Sequence, residues 1–466
     1  MADPDPSIQA VWQKDHEHVF HPWTVFDTFR EHGSLIMARG SGVHVFDANG
    51  KQYLDGIGGL WCVNIGHGRE EIADAIAEQA RKLAFFNSFV DTTSIPAAEL
   101  AAVLAARAPP SLNHAFFTTG GSTAVDTAFR LVQFYQRCRG RPEKRHVIVR
   151  RDAFHGSTYL TASLGGKAGD RIPEFSFLSD GIHHISSPNV YRRPRQLTES
   201  QFCDTLVDEM EEKIRELGAN NVAAFFAEPI LGAGGVIVPP HGYHRRTWEL
   251  CKKYDVLYVS DEVVTAFGRL GHLFASKDVF GVEPDILCIA KGLTSGYQPL
   301  GAVLLSDQIH STISEPGKGR YFAHGFTYSG HPVACAAALK NIEIIEREGV
   351  CEHVRDVGPY FMKRLAELKE LPIVGDVRGS HLMACVENVA NKETRALFPE
   401  QLDIGKRIAD HAEALGLIVR PIGALNILSP PLVLTREHVD DLVAMLQEAI
   451  ERTVSDLTKA RHLASR

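Results

Sequence analysis

Five short apolar runs constrain this chain more than any other feature. Val147–Val149, Ala223–Phe226, Val256–Val259, Ile286–Ile289 and Ala302–Leu305 are uninterrupted rather than alternating. A strand reads that way when both of its faces are covered, as in a parallel sheet sandwiched between helices. Helical stretches fall between the runs. From Thr198 the letters Thr-Glu-Ser-Gln form a capping box, and Phe202, Leu206, Met210, Ile214 and Leu217 follow on one stripe. This alternation across 62–331 predicts a doubly wound, mostly parallel α/β domain. The tail differs: strand candidates at Leu382–Val386 and Leu417–Val419 precede a long helix from near Thr435. Its stripe runs Val439, Leu442, Val443, Leu446, Ile450, Val454 and Leu457, so 332–466 reads as a smaller α+β unit. Residues 1–61 are too short for a core of their own and are expected to pack on that unit or on a partner.

Charge and cysteine usage narrow the function. The 466 residues carry 49 Lys and Arg against 57 Asp and Glu, a net charge of −8. Nucleic-acid binding requires a basic surface, so no such partner is expected. No apolar run approaches the roughly 20 residues a membrane-spanning helix needs. The acidic opening Met1–Pro6 lacks the layout of a secretory signal. Eight cysteines are dispersed with no CxxC pair, which argues for reduced thiols in the cytoplasm. A cytoplasmic enzyme acting on small molecules is the expectation. His16, His18 and His21 lack an acidic or cysteine companion in the sequence, so no metal is expected, and His183-His184 reads as loop surface.

Three features carry chemistry. His114–Arg130 reads as a strand, a Gly-rich turn and a helix, with Gly120, Gly121 and Ser122 at the junction. Unpaired amides at such a helix start attract a phosphate. The same letters also fit an ordinary turn with Ser122 as N-cap, or a near-miss to a nucleophile elbow in which Ala124 replaces the last glycine. Asp261 ends a buried strand, where ligands of doubly wound sheets bind. Its carboxylate could serve a metal, a ribose hydroxyl or a cationic ring nitrogen. Lys291 follows the next strand, leaving the same sheet edge as Asp261, and an Asp–Lys ion pair is the plain alternative. Together the three select pyridoxal phosphate. A desolvated lysine takes its aldehyde, a carboxylate its ring nitrogen and a helix start its phosphate. The nearest nicotinamide-type motif, Gly232-Ala-Gly234-Gly235, has the wrong spacing.

At this point the chain resembles the class III aminotransferases, fold type I pyridoxal-phosphate enzymes, and among them the ω-amino acid:pyruvate and amine transaminases. The marks are Gly59–Asn64, Gly120-Gly-Ser122, Phe154-His-Gly156, Ala227-Glu-Pro-Ile230, Ser260–Val263, Ala290-Lys-Gly292, His324–Pro332 and Val419-Arg-Pro421. Their order and spacing cover nearly the whole chain. The resemblance implies a small domain built from both termini (1–61 and 332–466) beside the large domain 62–331. It implies Lys291 as the imine-forming and proton-moving lysine and Asp261 as partner of the pyridinium. Val263 and Phe154 would flank the ring, Gly121 and Ser122 would hold the phosphate, and Thr327 of a second subunit would complete it. His155 and Glu228 would support that shell. Trp61, Phe86 and Phe89 would wall the substrate pocket, and Arg420 would pair with carboxylates and swing aside for uncharged amines.

Two positions depart from the family pattern. Phe154 stands where tyrosine is usual, which keeps stacking but loses a phenol hydrogen bond. Thr123 stands where glutamate is usual, which removes an anionic group beside the phosphate. The implied reaction is ping-pong transfer of an amino group from an ω-amino acid such as β-alanine, or from an arylalkyl or aliphatic amine, to pyruvate in a homodimer. Decarboxylation, racemisation or an aminomutase step on the same scaffold, a serine hydrolase at Ser122, and a silent cofactor-binding protein are the competing readings.

Overall fold

The computed structural model describes residues 6–463, so Met1–Asp5 of the acidic opening lies outside the described residues. Seven strands form the central sheet: β1 (Leu112–Thr118), β2 (His146–Arg150), β3 (Ile182–Ile185), β4 (Val222–Ala227), β5 (Leu257–Asp261), β6 (Ile286–Ile289) and β7 (Gly301–Ser306). Their spatial order is β3-β2-β4-β5-β6-β7-β1. The pairs from β3 through β6 are parallel. Strand β7 runs against both of its neighbours. The apolar run at Ala302–Leu305 therefore belongs to the reversed strand. Every residue of β7 is buried, so its apolarity reports cover on both faces and says nothing of direction. Because β1 opposes β7 in turn, it points the same way as β6.

Alternate residues of the strands feed two cores. Val147, Val149, Ala224, Phe226 and Val259 pack with Ala128, Leu131 and Val132 of the helix Gly121–Cys138. Ile148, Phe225, Ala227 and Tyr258 face Met210 and Ile214 of the helix Glu199–Leu217. That helix starts in a capping box between Thr198 and Gln201, as its sequence requires. The C-terminal helix Arg436–Lys459 likewise starts from a Thr435 cap.

The N-terminal residues do more than decorate the tail. Met37–Ser41, His44–Asp47 and Gln52–Asp55 form a sheet that is completed by Leu417–Ile418, parallel to Gln52–Asp55. A second small sheet joins Val374–Ser380, Met383–Asn388, Leu425–Leu428 and Arg420–Ile422 in antiparallel pairs. One apolar cluster runs from Leu54 through Ile289, Leu304 and Ile345 to Val386 and Val443, so the core is continuous between these layers.

Local expectations met mixed outcomes. His183 and His184 are half-buried in β3 rather than on a surface loop. His183 pairs with His146 at 2.9 Å, and His184 donates to the Gly165 carbonyl at 3.0 Å. His21 has an acidic companion after all, Asp15 at 3.0 Å. The eight cysteines are all unpaired. Among the described residues no helix is long and apolar enough to cross a membrane.

Candidate active site

Parallel strands deliver their C-terminal ends to one sheet edge, and that edge carries the candidate site residues. Asp261 is the last residue of β5 and pairs in register with Cys288 of β6, one residue after which β6 ends and the chain turns to Lys291. Glu228 directly follows β4, and Phe154 and His155 lie in the loop after β2. Asp261, Glu228, Phe154 and His155 line one cavity of about 930 Å³. Lys291 and Trp61 line it too, with φ of +45° and +64°. Such left-handed backbone costs a non-glycine residue on the order of 1–3 kcal/mol, which surrounding packing must offset.

The carboxylates are fixed by named donors. His155 donates from Nδ1 to Asp261 Oδ2 at 2.7 Å, since an ionised carboxylate only accepts. The Val263 amide donates to Asp261 Oδ1 at 3.1 Å. His155 Nε2 is buried without a partner among the described residues. Glu228 accepts the amides of Phe154 and Gly232, each at 2.9 Å, and so pins the cavity wall to the loop after β4. Burial pushes the Glu228 carboxyl up, with His155 opposing and Asp261 adding to the rise. Burial lowers the Lys291 ammonium pKa, and Asp261 is the chief opposing charge. No hydrogen bond or ion pair engages the Lys291 amine among the described residues, so it stands free in the cavity.

Across the cavity, β1 ends and the helix Gly121–Cys138 begins, with Gly120 as its N-cap rather than Ser122. The amides of Gly121, Ser122 and Thr123 have no protein acceptor among the described residues, which leaves an anion cradle. Ser122 Oγ accepts the Ser157 amide at 3.0 Å, and no histidine engages it among the described residues, so the hydrolase reading of Ser122 is not supported. Gly156 sits at φ +132°, and a Cβ there would fall 2.5 Å from Ser122 Oγ, which is why glycine ends Phe154-His-Gly156. Thr123 Oγ1 donates to the Gly120 carbonyl at 2.9 Å and accepts the Thr119 amide at 3.2 Å. The missing glutamate is thus replaced by a neutral stitch that holds the turn itself.

Phe154 and Val263 both line the cavity, as do Trp61 and Arg420. Arg420 starts the strand Arg420–Ile422 of the small sheet; no hydrogen bond or ion pair engages its guanidinium among the described residues. Burial draws its pKa down while Asp170 opposes. Two expected wall residues lie elsewhere, and Thr327, expected to serve a second subunit, also lies outside this cavity. Phe86 and Phe89 are 49% and 46% exposed, and Thr327 is exposed in the turn before Pro332. None of them lines this cavity; Phe89 instead lines a groove with Tyr321, His324 and Gly325. Sequence reading also missed Trp23, Lys167 and Asp170, which line the cavity from loops with no periodic signal. Trp23 lies 6.2 Å from the Phe154 ring, centroid to centroid, and fills part of the space over it.

The free amine, the fixed carboxylate, the two flanking side chains and the anion cradle fit pyridoxal phosphate: one donor set for each of its aldehyde, ring nitrogen, ring faces and phosphate. The comparisons agree. The aminotransferase class-III family profile matches residues 28–450. A putrescine–pyruvate aminotransferase of Pseudomonas aeruginosa is 42% identical over 95% of this chain and 96% of its own length. An (S)-enantioselective ω-transaminase from Thermomicrobium roseum superposes with a TM-score of 0.92, at 41% identity, over 97% of this chain and 98% of that one. An aminotransferase from Vibrio fluvialis in its PMP-bound form superposes with a TM-score of 0.91, at 33% identity, over 96% and 98%. With a family match over residues 28–450 and a cavity whose lining fits the cofactor, this chain belongs to the class-III aminotransferases, which are pyridoxal-phosphate-dependent enzymes.

Proposed function

We propose that the enzyme moves an amino group from an ω-amino acid or a simple amine to pyruvate. The observation that carries this reading is the unpaired Arg420 in the same apolar-walled cavity as the free Lys291 amine. One site must alternately take a carboxylate and an uncharged chain, and a mobile guanidinium between apolar walls suits both. The activities in the names of the Pseudomonas and Thermomicrobium relatives support it.

When bound, pyridoxal phosphate supplies an aldehyde and a cationic ring that accepts the electrons of the broken C–H bond. Lys291 Nζ takes the substrate α-proton and returns it, and its lowered pKa keeps the neutral amine available below the ordinary lysine range. Asp261, held by His155 and the Val263 amide, presents its carboxylate to the ring cation. Glu228 holds the Phe154 amide so that the ring of Phe154 stays in the cavity wall. Gly121, Ser122 and Thr123 hold the phosphate through their amides. Trp61 and Phe154 exclude water from the reacting carbon.

We assign 62–331 to the large domain and 1–61 with 332–466 to the small one, with the cavity between them. Thr327, Phe86 and Phe89, exposed in one chain, would reach the site of a second copy in a homodimer. The free and mostly buried cysteines fit a cytoplasmic setting.

Incubating the holoenzyme with pyruvate and a panel of β-alanine, arylalkyl and aliphatic amines is expected to yield alanine; silence across the panel refutes the reading. Arg420→Ala is expected to cut kcat/KM for pyruvate and β-alanine roughly 10- to 100-fold, the scale of a hydrogen bond to a charged group, and to spare simple amines in the donor half-reaction. Equal losses for both classes would remove its role. Gly121→Ala places a Cβ 2.8 Å from Val263 Cγ1. The displaced valine is expected to weaken pyridoxal-phosphate binding about tenfold, near the low end of overpacking costs, in an absorbance titration of apoenzyme.

A further inference from the structure

The cavity holds three carboxylates, and two are committed: Asp261 to His155 and Val263, Glu228 to two backbone amides. The third is Asp170, which closes the short turn Ala168–Asp170. It lines the same cavity as Arg420, and its charge bears on Arg420, whereas those of Asp261 and Glu228 bear on Lys291. Its side chain is 18% exposed, and its one ion-pair partner among the described residues is Lys167, whose Nζ lies 2.7 Å from Oδ1. Lys167 in turn lies 5.6 Å over the Trp23 ring. The pair is therefore set into the wall beneath Trp23, with its remaining surface toward the cavity.

Trp61, Phe154 and Trp23 line the cavity together with Lys291 and Asp170. An amine that reacts at Lys291 and carries a second ammonium would have to bring that charge along this apolar surface and past Arg420. A charge there is costly unless it meets a counter-ion. Asp170 is the remaining anion of the cavity, and although Oδ1 is paired with Lys167, a carboxylate has room for a second cationic donor. We propose that Asp170 is a specificity-determining residue that receives the distal ammonium of an α,ω-diamine donor. The cavity then has one receptor of each sign for a substrate's far end: Arg420 for the carboxylate of ω-amino and keto acids, Asp170 for the second nitrogen of diamines. This rests on the transaminase reading above.

The test compares 1,4-diaminobutane with 1-aminobutane, each with pyruvate, on wild-type holoenzyme and on Asp170→Asn and Asp170→Glu. Asp170→Asn is expected to lower kcat/KM for the diamine roughly 10- to 100-fold, mainly through KM, while the monoamine stays within about twofold. Asp170→Glu is expected to retain most of the diamine preference. An unchanged diamine-to-monoamine ratio in Asp170→Asn overturns the proposal, and so does an equal loss for both amines, which would make Asp170 only a brace for its loop. Failure of wild-type enzyme to aminate pyruvate from any amine or ω-amino acid would instead strike the transaminase reading itself.

Discussion

Lys291→Ala is expected to abolish turnover, by about 10⁴-fold or more, because it removes both the covalent anchor of the cofactor and the base that moves the α-proton. Borohydride treatment of the cofactor-loaded variant should then leave no covalent adduct, whereas the wild-type peptide containing Lys291 should gain the reduced cofactor mass. The fold should survive. The amine makes no hydrogen bond or ion pair among the described residues, and the backbone at φ +45° is already strained, so the side chain holds little together. A melting temperature within a few degrees of wild type, equivalent to about 1 kcal/mol, would confirm that the loss is chemical. Lys167 is the other lysine lining the cavity. Reduction that still labels the variant, at Lys167, would move the anchor and dismantle the assignment of Lys291.

Asp261→Asn is expected to lower kcat roughly 100- to 1,000-fold, the scale seen when one preorganised electrostatic partner of a reacting group is removed. An amide is neutral and cannot balance the ring cation, although it still fits the space. Asp261 is 5% exposed and ties together His155 and the Val263 amide. Asparagine keeps an oxygen for one of these donors, so cofactor should still bind, more weakly. Absorbance titration separates the two effects: a retained spectrum with depressed kcat is the expected pattern. A kcat within tenfold of wild type would show that the ring nitrogen needs no anion at this position.

Much of the site was readable because its members sit where strands end. Asp261 and Lys291 follow apolar runs that had to be buried strands, and parallel strands release their ends at one edge. Gly121 and Ser122 were readable from the glycine turn, although the helix cap proved to be Gly120. The reversal of β7 was not readable, since a strand buried on both faces has the same composition in either direction. His183 and His184 misled because a strand at the sheet margin tolerates half-buried polar side chains. Phe86, Phe89 and Thr327 matched the family letters, yet a single chain leaves all three outside its own cavity.

By itself, the order of residues marked the groups that gather at one sheet edge and the class of cofactor they suit, because amine, carboxylate and amide cradle are each written into a few neighbouring positions. Only the packed chain decided what surrounds a substrate. Trp23 and Asp170, which no sequence signal marked, come from an N-terminal loop and a turn after β2, meet Arg420 of a C-terminal strand in one cavity, and no periodicity links them. Their convergence follows from burial of one continuous core across distant segments, a sum of many nonlocal contacts that leaves no mark on any short stretch of sequence.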